Sequence, residues 1–524
     1  MHFSRFVRFE LPCVPKSTLR MPTQLHTLAA LGAMLVLTAC ASQEPPPIDV
    51  SSGFVLQDVT VVNTRDGSLV PHQSVVIDGA RIVQVVPTAS VRVHGDARVI
   101  DGSGRYVVPG FLDMHTHALP SADAPQPAWP LLVANGITGI REMAGSPELI
   151  ARAHKLNADS AAGRVDAPEI VAVAGPLIVG AATAEQGTQL VRQHKAMGAD
   201  FIKLIAASHD ASLAVLAESK NQGLVVAGHL SPTLSAVDSS NAGWHSIEHL
   251  GAGEGILIDC SSAEASVRTD ILRKSSRPAF TPLFIVSPLL FGAADAPLYQ
   301  RVLDTYSESK CASVMQVFVR NDTWQVPTLI RLKGMELSDA PSLMQDPNLI
   351  YVDKTTRALW DLLGKRYGTE VPAAARDTFR HYYERQQQLV RLMSQQGVRM
   401  MTGSDLGGIW VVPGFSLHQE FHELAASGLT PLQVLQATTL NGAVYLHREA
   451  TMGTVEPGRN ADLVLLDANP LLDVRALDRI NAVVMKGKLF GASDLDAMKA
   501  RVAAVYASQP LRDPTSAIDR SHVD

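Results

Sequence analysis

An α/β fold, a (β/α)8 barrel of the TIM type with a small β-sandwich built from both chain ends, is what the 524 residues predict. Three observations carry that prediction. The middle of the chain alternates short apolar runs with helix-like stretches, and eight such runs occur, the number that closes a barrel of this kind. Residues 54–108 and 446–492 instead show the apolar–polar alternation of short strands. The composition, 46% hydrophobic and 18% charged, suits a chain that buries a large core.

Residues 1–39 read as a signal peptide. "LHTLAALGAMLVLTAC", Leu25 to Cys40, is an apolar run too short for a comfortable membrane span. "LTAC" resembles the lipobox of bacterial lipoproteins. That resemblance implies cleavage before Cys40, a lipid anchor on its sulfur and a place on the periplasmic side of the cell envelope. Membrane contact is then expected only through the anchor. An ordinary secretory signal cut near Ala39 or Ala41 is the alternative. Met21 offers a second start, although Arg5, Arg8, Lys16 and Arg20 all precede it. Residues 40–53, with "SQEPPPIDV", read as a disordered tether.

In the first β-rich stretch, "FVLQDVTVVN" and "SVVIDGARIVQVV" alternate, with "DGA" as a hairpin turn. The barrel is expected over 109–445. Its eight runs are "FLDMHTH" (111–117), "ITGIREM" (137–143), "EIVAVAG" (169–175), "DFIKLIA" (200–206), "GLVVAGH" (223–229), "HSIEH" (245–249), "WQVPTLI" (324–330) and "VRMMTGSD" (398–405). Pro327 counts against the seventh run as a strand. The stretches on either side of that run are long enough to hold extra helices, of which "RDTFRHYYERQQQLVRLMSQQG" (Arg376–Gly397) ends on a glycine cap. "ADLVLLDAN" and "INAVVMKGKLF" return the chain to the β domain, and 493–524 reads as a C-terminal helix and tail.

A net charge of −6 without a long basic run argues against a nucleic-acid partner. A small molecule or short peptide is the expected substrate, and a homo-oligomer stays open. Of four cysteines, Cys13 belongs to the signal and Cys40 to the lipid site. Cys260 and Cys311 remain, either bridged or as two buried thiols.

The chemistry starts at "DMHTH". Successive strand residues point to opposite faces, so Asp113, His115 and His117 share one face, toward the barrel interior. Two imidazoles at the C-terminal end of a barrel strand can hold one cation, whereas a lone pair of this kind is more often satisfied by hydrogen bonds. Lys203 sits in an apolar strand, where a bare ammonium costs several kcal/mol unless paired. His229, His249 and Asp405 end the fifth, sixth and eighth runs. Each alone has a bland reading, such as a helix N-cap for Asp405. Five such groups at strand ends, with a lysine that could be modified beside them, do not.

Other features carry less. "HQEFHE" puts His418 and His422 on one helix face but lacks the HExxH order of zinc proteases. Arg141 and Glu142 read as a structural pair in preference to substrate contacts. His245, Tyr382 and Tyr383 read as packing or rim, and Trp410 as the best candidate to line a substrate pocket.

"VVPGFLDMHTH", "GADFIKLIA", "SIEHL", "TGSD", "GLTPLQVLQATTLNGAVYL" and "GTVEPGRNADLVLLD" closely resemble the amidohydrolase superfamily, nearest its imidazolonepropionase-like and Xaa-Pro-dipeptidase-like branch. The likeness runs from about Val55 to Phe490. It implies one divalent ion on His115, His117 and Asp405 and a second on His229 and His249. Lys203, carboxylated by CO2, would bridge them. Zinc is the metal such a ligand set favours. It also implies a metal-activated hydroxide that cleaves a C–N bond in an amide, dipeptide, N-acyl amino acid or cyclic amide, with Asp405 moving the proton. The same site would suit a lactone, carbamate or phosphotriester. A catalytically dead envelope binding protein is the reading from another class, and the complete ligand set counts against it.

Overall fold

The computed structural model describes residues 47–119, 128–273, 287–290 and 292–514. The signal peptide and Cys40 lie outside the described residues. Parallel strands and their helices fill the middle of the chain, and one mixed sheet unites its two ends.

The strands of the parallel region are short. Phe111–Thr116, Ile137–Glu142 and Glu169–Val173 form a three-stranded sheet. Ile178–Ala181, Phe201–Ala207, Val225–Gly228, Ser246–Glu248 and Trp324–Val326 form a five-stranded one. All neighbours are parallel. Isolated bridges continue the pairing at both edges, Ala174 with Phe201 on one side and Gln325 with Met400 and Thr116 with Leu406 on the other.

Two of the eight expected strands differ from expectation. The seventh stops at Val326 because Pro327 has no N–H to donate, and Thr328 then turns left-handed at φ 46° to start the helix Leu329–Glu336. The eighth is irregular. Its backbone serves neighbours on both sides, with Met114 N donating to Thr402 O and Gln325 N to Arg399 O. Thr402 N, however, turns to Ala437 O, and Ser404 N is captured by the Asp113 carboxylate at 2.9 Å, so no continuous ladder forms.

The terminal domain is one eight-stranded sheet, not two separate ones. Tyr106–Pro109 pairs antiparallel with Leu463–Leu466, placing Val108 opposite Val464 and joining the N-terminal strands to Ile480–Met485 and Lys488–Gly491. Inward residues from strands far apart in that sheet, among them Leu56, Ile82, Leu465 and Val484, meet in one core, so the sheet folds over itself. Gly79, at φ 53°, makes the turn of the "DGA" hairpin. Ile48–Val50, expected in the tether, is a strand parallel to Val91–Val93, because its alternate apolar residues pack on Val55 and Val76.

The long helix Ala373–Gln396 ends on Gly397 at φ 79°. A C-terminal helix, Ala492–Ser508, packs on the sheet. Cys260 and Cys311 are joined by a disulfide with their Cα atoms 4.3 Å apart. Among the described residues no helix is long and apolar enough to cross a membrane.

Candidate metal centre

His115, His117, Lys203, His229, His249 and Asp405 meet at the C-terminal ends of the parallel strands. Asp405 Oδ1 lies 3.3 Å from His115 Nε2 and 3.5 Å from His117 Nε2, and Asp405 Oδ2 lies 3.9 Å from His249 Nε2. Lys203 Nζ is 3.2 Å from His115 Nε2. The His229 and His249 rings are 5.0 Å apart, and those of His115 and His249 4.3 Å. The tightest group is His115, His249 and Asp405, whose polar atoms lie within 4.8 Å of one another. That trio cuts across the pairing of ligands implied by the resemblance, which assigned His115 and His249 to different ions.

Backbone strain concentrates here. His249 and Leu250 (each φ 53°), Thr328 and Asp405 (φ 55°) are all left-handed without being glycine. Such conformations persist only where the surroundings over-determine them, and they cluster at working sites. Close packing helps, since a Cβ on Gly403 would sit 2.7 Å from His115 Cβ.

Each central imidazole is tied from behind. His115 Nδ1 donates to Glu248 Oε2 at 2.7 Å, so its Nε2 keeps a lone pair facing the cluster. Glu248 also accepts from Arg141 Nη2 at 2.8 Å and from the Ser246 hydroxyl at 2.7 Å. The Thr328 hydroxyl donates to Pro327 O at 2.8 Å and therefore accepts from His249 Nδ1 at 2.5 Å. His249 Nε2 is left as an acceptor in the same way. Arg331 Nε donates to Asp405 Oδ2 at 2.9 Å.

The electrostatics suit a cation. Burial pushes His117 down to about 3 and holds His229 and His249 well below the usual imidazole value, so these rings are neutral ligands. Burial alone would raise Asp405, but the positive charge around it, Arg331 at 2.9 Å included, outweighs burial and holds the carboxyl well below its usual range. Glu248, likewise buried, is drawn down to about 2 by Arg141 and His115. Burial lowers Lys203 to about 8 against the pull of Glu248 and Asp405. Neutral imidazoles, an ionised carboxylate and a lysine near neutrality form a donor set that fits divalent ions.

Two expectations are corrected. Trp410 does not line a pocket. It is 2% exposed, donates its indole N–H to Ser338 Oγ at 2.8 Å and packs on Trp360. Arg141 and Glu142 do not pair with each other, because adjacent strand residues point opposite ways. Arg141 turns to Glu248, and Glu142 accepts the backbone N–H groups of Ala118 and Leu119. His418 and His422 both grip Asp478, at 2.9 and 2.8 Å. His245 stacks near Tyr445, and Tyr382 and Tyr383 donate to Glu254 O and Glu423.

Sequence reasoning missed Glu248, Thr328 and Arg331. For Glu248 a signal existed, since Ser246–Ile247–Glu248 repeats the inward polar alternation that singles out His115. Arg331 follows a proline-broken strand and gives no such cue.

Residues 338–490 match the model of the amidohydrolase family. The chain is 27% identical over 414 residues to imidazolonepropionase of Salmonella agona, 78% of this chain and 88% of that protein. Likeness to adenine deaminase of Rubrobacter xylanophilus is confined to 69 residues at 42% identity, so the chain spans 11% of that relative. Among solved structures, bottromycin amidohydrolase superposes with a TM-score of 0.65 at 19% identity, over 90% of this chain and 93% of its own. A Xaa-Pro dipeptidase with bound methionine gives 0.56 at 17%, over 84% and 100%.

Proposed function

We propose that this chain, a member of the amidohydrolase superfamily, is a metal-dependent hydrolase of carbon–nitrogen bonds built on a closed (β/α)8 barrel. The bridges from Met400 and Leu406 to Gln325 and Thr116 support the closure. One observation carries the reading: ligand atoms of His115, His249 and Asp405, one from each, lie within 4.8 Å of one another while both imidazoles are tied outward through Nδ1, to Glu248 and Thr328.

His115, His117 and Asp405 with His229 and His249 would hold two divalent ions, zinc by donor type, with carboxylated Lys203 shared between them. When bound, such ions supply a hydroxide nucleophile at neutral pH and polarise a carbonyl. The residues supply the rest. At a value near 8, part of the Lys203 amine is unprotonated at physiological pH, and its lone pair can add CO2, releasing one proton to give the carbamate. Asp405 accepts a proton from the attacking water and delivers it to the leaving nitrogen. Arg331 fixes the carboxylate for that transfer. Dipeptides, N-acyl amino acids and cyclic amides are the substrates this chemistry suits. The signal-like apolar run and Cys40 support a location on the periplasmic side of the envelope, with the chain held by lipid.

The test is to purify the chain without its signal, add zinc and bicarbonate, measure bound metal, and screen amides, dipeptides and lactones. About two ions per chain with amide turnover is the expected result. Turnover of lactones alone moves the assignment to the other bond class, and a chain that binds neither metal nor amide rejects it.

A further inference from the structure

The helix Phe415–Ala426 carries "HQEFHE", whose histidines are occupied with Asp478 and whose glutamates face the other way. Glu420 is fully buried, and its Oε2 accepts the backbone N–H of Ile330 at 2.8 Å. That bond caps the helix Leu329–Glu336 from outside. A helix start leaves its first N–H groups without partners, and a threonine in the cap position ordinarily satisfies one with its own hydroxyl. Thr328 occupies that position and makes no such bond. Its hydroxyl is diverted to His249 Nδ1 and Pro327 O, and its backbone is left-handed at φ 46° and ψ 50°.

We infer that Glu420 is a positioning residue for the metal centre, standing in for the cap that Thr328 gives up in order to hold His249. The same first turn presents Arg331, whose Nε holds Asp405. Glu420 thus bears on two ligands, His249 through Thr328 and Asp405 through Arg331, without touching either. Glu423, one turn further along the same helix, holds Lys333 of the capped helix at 2.6 Å, and Gln386 holds its end through Glu336 at 2.9 Å. Those ties keep the helix in place when the cap is lost, so the effect of Glu420 is local to Thr328 and Arg331.

This inference rests on the metal-dependent reading above and is tested by binding, not turnover. Zinc affinity is measured by competition with a chromogenic chelator, and ligand geometry by the visible absorption of the cobalt-loaded full chain. Glu420→Ala is expected to weaken zinc binding about 10- to 100-fold, the usual effect of removing a group behind a ligand, and to shift the cobalt bands. Glu420→Gln retains a carbonyl acceptor and is expected within about threefold of the parent. Thr328→Val should weaken binding similarly, and the Glu420→Ala/Thr328→Val double variant should lose less than the product of the two, since both act on one turn. Ile82→Ala, in the core of the terminal sheet, serves as the control, lowering the melting temperature without moving the cobalt bands. Parental affinity and spectrum in Glu420→Ala, whatever its melting temperature, overturn the inference while leaving the metal reading intact. A parent chain that binds neither ion overturns both.

Discussion

His115 Nδ1 lies 2.7 Å from Glu248 Oε2, and both side chains are fully buried. The contact fixes the histidine tautomer and at the same time completes an ion pair with Arg141. Glu248→Gln removes the charge that both partners need. It should cost about 3–5 kcal/mol in urea denaturation, the range for leaving a buried partner charge uncompensated. Metal affinity should fall together with stability, and a variant that kept both would separate Glu248 from the site.

Asp405→Asn keeps the shape of the side chain and removes its charge. Proton transfer by a positioned group contributes about 10²–10⁴-fold, so kcat should fall at least that far. Bound metal should fall too, because three imidazole nitrogens lie within 4 Å of this carboxylate. Steady-state kinetics with metal analysis on the same sample checks both.

The contribution of three buried glutamates to stability should decline as pH rises from about 4.5 to about 8, while the buried histidines, neutral when folded, act the other way below about 6.5. Burial pushes Glu336 up to about 8 from 4.5, and Glu142 and Glu420 move the same way for the same reason. Between those values the folded chain keeps protons that the unfolded chain has released, so the folded state loses its advantage as pH climbs. At Glu336 the proton also has a use, because Glu336 Oε2 and Gln386 Oε1 are buried acceptor atoms without partners. Glu336→Gln supplies a permanent N–H there. The variant should exceed the parent at pH 8 by on the order of 2 kcal/mol and show a flatter pH profile. Denaturation curves from pH 5 to pH 9 measure it, and parallel profiles count against the assignment.

The disulfide between Cys260 and Cys311 spans 51 residues and is wholly buried. Closing a loop of that length is worth about 4 kcal/mol in the chain-entropy account. The Cys260→Ser/Cys311→Ser double variant should lose about that much. A denaturation midpoint equal to that of the oxidised parent rejects the estimate.

Much of the ligand cluster was legible because strand alternation is a local rule. His115 and His117 share a face by spacing alone, and His249 and Asp405 announce themselves at the ends of apolar runs. The groups that orient them were not legible, since each orienting contact joins elements distant in the chain. Glu248 reaches back 133 residues to His115, and Arg331 forward 74 to Asp405. Trp410 misled for a related reason. Its position after Asp405 suggested the pocket, whereas its partners Ser338 and Trp360 belong to the inserted helices, whose packing no local pattern reveals. The eight-run count predicted the parallel region and Pro327 marked the seventh run as doubtful, but nothing local showed that the Asp113–Ser404 contact would break the eighth.

The opposition of Val108 and Val464 carries a constraint on biogenesis. A nascent chain shorter than about 463 residues exposes Tyr106–Pro109 as an unprotected edge, open to pairing with a stranger. Most of the polypeptide must therefore be synthesised before its first hundred residues are safe. Such distant pairing slows folding, which favours a chaperone escort over the interval.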